Sequence, residues 1–355
     1  MKMQIGIPKE IKTMEGRVGL IPAATAELVQ AGHRVFVETR AGELSGYPDE
    51  DYRAAGAELL PDATALYKQA QLIVKVKEPV AEELDLLGRE HILFSYLHLA
   101  ANPELTARLQ QIGLTAIAFE TVRDARGQLP LLAPMSDIAG RLATQIGCHL
   151  LHSSQGGKGL LLGGVSGAPR GRVTILGAGV AGRGATHLAA ALGAEVTVFD
   201  RDRAKLESIR TLGANVTALY AYRKLLAETI ERTDLLIGAV LIPGAHAPQL
   251  VSTDMVRSMA SGSVIIDISV DQGGCVATTR PTSYDEPTFI WQGVVHFGVT
   301  NMPGAVPTSA SQALSAVLTP YVLAVAQHGW EQQPELATGI NVTAGRLVLD
   351  ALQNT

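Results

Sequence analysis

The sequence predicts an α/β protein of two doubly wound domains, parallel sheets with helices on both faces. Three observations lead there. At 355 residues the chain exceeds one ordinary α/β core and suits two. Strand-like and helix-like segments alternate from the N-terminus, the pattern of parallel strands joined by crossover helices. A second strand–turn–helix start, rich in glycine, opens near residue 172. With 47% apolar and 18% charged residues, the composition suits a well-buried fold.

In order, "MQIGIP" reads as a strand, "PAATAELVQAG" as a helix, "HRVFVE" as a strand and "DEDYRAAGAELL" as a helix. "LIVKVKEP" and "HILFSYLHL" are strands, "NPELTARLQQIG" a helix and "LTAIAFETV" a strand. Asn102 can cap that helix, Pro103 takes its first position, Glu104 suits its positive end, and Gly113 follows its last turn. A longer helix, "SDIAGRLATQIGCHLLHS" from Ser136, has the length to bridge two domains. "RVTILGAGVAGRGATHLAAALGAEVTVFD" then starts a second βαβ unit, which continues through "NVTALYA", "DLLIGAVLIP" and "SVIIDISVDQGG". Two helix-rich segments, "SASQALSAVLTPYVLAVAQHG" and "PELATGINVTAGRLVLDALQ", close the chain. The first half has many strands and few closing elements of its own, so this tail is expected to return and pack on it.

The net charge of −5 leaves no basic footprint for nucleic acid and no reason to expect an anionic membrane surface as partner. The start, "MKMQIGIPKE", shows no signal-peptide pattern, and "ALSAVLTPYVLAVA" reads as a helix kinked at Pro320 rather than a membrane span. Cys148 and Cys275 stand alone, which favours a reduced, cytoplasmic protein. His149 and His152 share a helix face, but no carboxylate or thiolate stands at ligand spacing, so no metal is expected.

"VTILGAGVAGRGA" places Gly177, Gly179 and Gly182 in G-x-G-x-x-G spacing between a strand and a helix, a Rossmann-like context. The first glycine permits the tight turn, the second lets a pyrophosphate approach the backbone, and the third allows close helix packing. "AEVTVFD" ends in Asp200, roughly 20 residues further on, where a ribose-binding carboxylate belongs. Asp200 should repel a 2′-phosphate and so favours NAD over NADP; Arg201 and Arg203 nearby weigh the other way.

Ligands of parallel sheets gather beyond the C-terminal strand ends. In "LIVKVKEP", Lys75 and Lys77 share one face, and Lys77, at the strand end, is the better ligand candidate. Lys75 reads as a surface lysine on an uncovered face. In "ILFSYLHLA", Phe94, Tyr96 and His98 share a face, with His98 in the terminal position. Arg17, in "KTMEGRVGLIP", offers a planar double donor for a carboxylate, although an isolated loop arginine is more often just solvated. Asp271 ends "SVIIDISVDQGG" and is expected to face the same cleft, whereas Asp267 reads as a buried, hydrogen-bonded acid.

With these residues in view, the chain resembles the bacterial alanine dehydrogenases, those of cyanobacterial type in particular. The shared blocks run nearly end to end: "IGIPKEIK", "RVGLIP", "VKVKEP", "YLHLAA", "LPLLAPMS", "AGRLATQIG", "QGGKGLLLGGVSG", "ILGAGVAG", "DLLIGAVLIPGA", "VDQGGCV" and "NMPGAVP". The resemblance implies two Rossmann-like domains: a discontinuous catalytic one, 1–135 plus 305–355, and an NAD-binding one, 136–304. It also implies homohexamers. Arg17 and Lys77 match the ligands of the pyruvate carboxylate and carbonyl, His98 the acid/base, and Asp271 the acid that orders ammonia or water. Ser136, Gly177, Ala178, Gly179, Val180, Ala181, Gly182, Asp200, Arg201, Arg203, Val240, Leu241, Ile268, Val270, Asp271, Val299, Asn301 and Met302 match cofactor contacts. Two departures stand out. Gly16 replaces a bulkier residue before Arg17, which is expected to loosen the arginine loop, and "VPTSASQAL" differs from the usual tail.

The reaction so implied is reversible oxidation of L-alanine by NAD to pyruvate, ammonia and NADH, with hydride passing from Cα to nicotinamide C4. The alternative is the NAD(H)-binding module of a proton-translocating transhydrogenase. That module should lack the acid-binding pair.

Overall fold

The computed structural model describes residues 2–240, 246–327 and 329–348. The chain divides into two compact units, Met1–Met135 with Gly304–Thr355, and Ser136–Pro303. The first unit thus uses both ends of the chain.

Strands β1 (Gln4–Ile7), β2 (Arg34–Glu38), β3 (Glu58–Leu60), β4 (Leu72–Val74), β5 (Ile92–Ser95) and β6 (Thr115–Ala118) open the chain. The second unit holds β7 (Arg172–Leu176), β8 (Glu195–Asp200), β9 (Val216–Tyr220), β10 (Leu235–Gly238), β11 (Val264–Asp267), β12 (Thr288–Trp291) and β13 (Val294–Phe297). The closing segment adds β14 (Ile340–Thr343) and β15 (Arg346–Leu347).

The first sheet runs β15-β14-β6-β5-β4-β1-β2-β3, with β1 to β6 parallel and β14 antiparallel to both β6 and β15. The chain winds outward from β1 to β3 and then returns to place β4 on the other side of β1. Ile5, Ile7, Ile73, Leu93, Phe94 and Ile117 are fully buried, as unbroken apolar strands require when both faces are covered. The second sheet runs β12-β13-β11-β10-β7-β8-β9, parallel except for β12, and reverses its winding between β7 and β10. The expected class holds in both units.

Local signals behave as their chemistry dictates. The Asn102 side chain accepts the Leu105 amide at 3.1 Å, and helix Pro103–Ile112 stops at Gly113. Three expectations need correction. "DEDYRAAGAELL" is a helix only over Asp49–Ala54, and Glu58–Leu60 is strand β3. The tail is helical over Pro334–Gly339 and then forms the β14–β15 hairpin. β-Branched Ile340, Val342 and Thr343 favour extension, and Ala344 and Gly345 supply the two positive φ values (47° and 78°) of a two-residue turn. Helix Pro307–Val325 carries Pro320 inside it, in keeping with the proline-containing helix expected there. Strands β4, β5 and β11 end at Val74, Ser95 and Asp267, so Lys77, His98 and Asp271 lie on the following turns. Among the described residues no helix is long and apolar enough to cross a membrane.

Candidate active site

In the first unit the winding reverses between β1 and β4, and loops leaving such a pair diverge into a crevice. The loop after β1 carries Arg17, the turn after β4 carries Lys77, and the turn after β5 carries His98. Arg17 is buried, with Nε donating to Glu15 Oε1 at 2.7 Å and Nη2 to Glu15 Oε2 at 2.5 Å. Its Nη1 lies 3.2 Å from Met135 Sδ. Glu15 therefore occupies the Nε edge of the guanidinium, and a ligand carboxylate would meet the terminal nitrogens.

The loop is braced rather than loosened at Gly16. A β-carbon there would stand 3.1 Å from Leu44 Cβ and 3.3 Å from Pro307 Cβ, so a bulkier residue would force its neighbours to shift. Ser45 Oγ donates to Gly16 O at 2.8 Å, and Ser311 Oγ accepts the Val18 amide at 3.0 Å. Ser315 Oγ likewise accepts the Ile21 amide at 3.0 Å. The altered tail segment thus supplies one of the two hydroxyls, that of Ser311, and Ser315 lies just beyond it.

Lys75 overturns its expectation. It is fully buried, with Nζ 2.9 Å from Glu83 Oε1 and 3.4 Å from Glu10 Oε2. Burial opposes its charge, yet the Glu10 and Glu83 carboxylates outweigh it and hold the pKa above the ordinary lysine value. Burial also raises Glu10, against the pull of Lys75. Glu10 Oε1 accepts the Val76 and Lys77 amides at 2.6 and 3.3 Å, which ties the β1 loop to the exit of β4. Lys77 is half-buried. Burial first, and Arg17 second, push its pKa down.

His98 adopts a left-handed backbone, φ 49°, with its side chain 49% exposed. Its ring stacks on Tyr96 at 6.0 Å and 9°. Glu120, just past β6, accepts the His98 amide at 2.6 Å and the Leu97 amide at 3.2 Å.

In the second unit, Gly177 follows β7 at φ 98°, and a β-carbon there would lie 2.5 Å from Ala239 O. One on Gly182 would lie 1.8 Å from Gly177 O. Gly179 differs: nothing stands within 4 Å of its missing β-carbon, and its φ is an ordinary −71°. The protein itself gives no reason for that glycine, whereas a pyrophosphate against the N-terminus of helix Val180–Ala191 does. Ala178 is buried, Ala181 half-buried and Val180 exposed. Asp200 ends β8, its Oδ2 accepting the Ala178 amide at 2.6 Å and its Oδ1 the Asp202 amide at 2.8 Å. Arg201 and Arg203 are exposed beside it. A dinucleotide fits this loop.

Val240 follows β10, its N–H donating to Ser269 Oγ at 3.1 Å and its carbonyl accepting from it at 2.7 Å. Ile268, Val270 and Asp271 lie on the single turn Ile268–Gln272, where Asp271 is exposed. Asp267 is buried as expected, accepting the Ser269, Cys275 and Val276 amides at 3.0, 2.8 and 3.1 Å. Val299 and Met302 are buried, and Asn301 has φ 56°. Ser136 is half-buried in the first turn of helix Ala133–Leu150. Leu241 lies outside the described residues. Among the described residues no group of three His, Cys, Asp or Glu could hold a metal ion. The rings of His149 and His152 lie edge to face, 5.7 Å apart.

Glu10, Glu15, Glu83, Glu120 and Ser311 are the residues that sequence reasoning missed. Glu120 alone carried a signal, since it follows the strand "LTAIA" as His98 follows its own.

Family models described as "Alanine dehydrogenase/PNT, N-terminal domain" and "Alanine dehydrogenase/PNT, C-terminal domain" match residues 6–139 and 143–350. An alanine dehydrogenase of Halomonas elongata is 48% identical over 99% of this chain and 96% of its own length. A solved L-alanine dehydrogenase superposes with a TM-score of 0.95 at 50% identity, covering 99% of this chain and 98% of the other. A transhydrogenase from Sinorhizobium meliloti superposes at 0.85 with 28% identity, over 98% and 99% of the two chains. The chain belongs to the alanine dehydrogenase/PNT family.

Proposed function

We propose that this protein is an NAD-dependent alanine dehydrogenase, interconverting L-alanine, NAD and water with pyruvate, ammonium, NADH and a proton. The observation that carries the reading is the set Arg17, Lys77 and His98 on loops after three neighbouring strands, β1, β4 and β5, in a chain so similar to alanine dehydrogenases. Arg17 meets the substrate carboxylate with its terminal nitrogens, and Lys77 meets the carbonyl oxygen. When bound, the nicotinamide takes hydride from alanine Cα at its C4. Water then adds to the iminium carbon, and His98 takes the proton it releases. Collapse of the carbinolamine expels ammonia and leaves the ketone. Asp271 orders the water or ammonia in this reading. Imidazole suits the task because its ordinary pKa lies near neutral pH.

The pyridine nucleotide is held by the loop Gly177–Gly182, with Ser136, Val240, Ile268, Val270, Val299, Asn301 and Met302 completing its contacts. Asp200 supports NAD over NADP, because a carboxylate accepts from ribose hydroxyls and repels a 2′-phosphate. A homohexamer in the cytoplasm extends the reading on family resemblance.

The second reading, a transhydrogenase module, is favoured only by the 28% likeness and has no use for an acid-binding pair. NADH formation from L-alanine and NAD at alkaline pH by the purified chain tests the proposal. Turnover with alanine supports it; hydride exchange between nucleotides without alanine turnover overturns it.

A further inference from the structure

Glu120 follows β6, the neighbour of β5, and its side chain is 15% exposed. Its Oε1 accepts the His98 amide at 2.6 Å, and both oxygens accept the Leu97 amide, at 3.2 and 3.3 Å. The residue so anchored is held at φ 49°, a conformation that is uncommon for a side chain larger than glycine's and survives only where its surroundings enforce it. Charge-assisted hydrogen bonds of this kind supply the enforcement. Oε1 also lies 4.0 Å from His98 Nδ1, too far for a direct hydrogen bond. A negative oxygen at that distance still favours the ring form that carries hydrogen on Nδ1, which leaves the lone pair on Nε2. The Tyr96 ring lies nearly parallel to the imidazole, with centroids 6.0 Å apart.

We propose that Glu120 is a positioning residue for proton transfer: it locks the left-handed turn that presents the His98 ring and selects the tautomer with hydrogen on Nδ1. The inference rests on the reading of His98 as the proton carrier. A clamp that served the fold alone would change stability and leave the ring's protonation pattern untouched.

Glu120→Gln keeps the shape and one amide acceptor but removes the charge. In the purified full chain, kcat for reductive amination of pyruvate is expected to fall roughly ten- to a hundredfold, the cost of a misaligned reacting group. KM for pyruvate, NADH affinity and the thermal midpoint should stay near wild type. The ring ¹⁵N signals of His98, assigned by their loss in His98→Asn, should move from the Nδ1–H pattern towards a mixture of tautomers. Glu120→Asp, which restores the charge, should recover part of kcat. Unchanged kcat and ¹⁵N signals in Glu120→Gln would overturn the inference. So would a loss of activity matched by loss of folded protein, with Glu120→Asp no better. If His98→Asn keeps wild-type kcat, the proton-carrier reading fails and this inference with it; if His98→Asn is inactive while Glu120→Gln is normal, only this inference fails.

Discussion

Gly179→Ala separates a glycine required by a ligand from one required by the fold. The backbone at Gly179, φ −71° and ψ −167°, is open to any L-residue, and the new methyl group would meet no protein atom within 4 Å. Two small effects oppose each other. Alanine restricts the unfolded chain, which favours folding by about 0.4–1 kcal/mol. It is also a poorer N-cap than glycine for helix Val180–Ala191, at a cost of about 0.5–1 kcal/mol. They cancel to within about 0.5 kcal/mol, so the thermal midpoint should move by no more than roughly 2 °C. Gly182→Ala is the control, because its β-carbon would stand 1.8 Å from Gly177 O and must displace the helix. Overpacking of that kind costs about 1–3 kcal/mol or more. If the open space seats the pyrophosphate, the Gly179→Ala methyl group competes with it, and NADH affinity should fall about tenfold or more, some 1.4 kcal/mol. Fluorescence titration with NADH and thermal melts of both variants read the two quantities. Wild-type affinity in Gly179→Ala would refute the pyrophosphate seat, and a melt as low as that of Gly182→Ala would return the glycine to packing.

Three further outcomes follow from the same geometry. Asp200→Ser removes the carboxylate that accepts the Ala178 and Asp202 amides, so kcat/KM with NAD should fall while that with NADP gains relative to it; equal use of the two cofactors by wild type would sink the idea. Arg17→Lys keeps the charge but cannot reproduce the paired bonds to Glu15 at 2.7 and 2.5 Å. It should destabilise the chain by about 1–3 kcal/mol and raise KM for pyruvate about tenfold, and an unchanged KM would move the acid-binding role elsewhere. Because burial and Arg17 push the Lys77 pKa down, its ammonium is lost at a lower pH than that of a surface lysine. KM for pyruvate should therefore climb towards alkaline pH in wild type and climb less in Lys77→Arg, which stays charged; parallel curves would exclude Lys77 as the titrating group.

The alternation of segments and the glycine triplet made the fold class legible, because each depends on local periodicity and on turns that only certain residues permit. The same locality explains the failures. Lys75 read as a surface residue because its counter-charges, Glu10 and Glu83, come from other segments and converge only once β1, β4 and the turn beyond Pro79 are assembled. Gly16 read as a loosening because Leu44 and Pro307, which crowd it, lie far away in sequence. Strand ends read too late at Lys77, His98 and Asp271, since apolar residues continue past the last ladder bond: Val76, Leu97 and Val270 are buried on the turns that follow. The hairpin Ile340–Leu347 is masked by helix-favouring neighbours, because its turn needs positive φ at Ala344 as well as Gly345 and alanine carries no such signal.

The bracing of the arginine loop by Ser311 and Ser315 has a consequence for biosynthesis. Residues near position 17 leave the ribosome early, but the hydroxyls that fix Val18 and Ile21 are translated almost 300 residues later, and the strand β14 that covers β6 later still. The middle of the chain, Ser136–Pro303, is contiguous and has all its strands as soon as it emerges. Folding during synthesis should therefore run out of sequence order: the nucleotide-loop unit matures first, and the amino-terminal unit waits with the β6 edge of its sheet open until β14 arrives. A premature stop between residues 304 and 307 would then yield a polypeptide whose Rossmann-like middle is complete and whose arginine loop lacks the Ser311 and Ser315 hydroxyls.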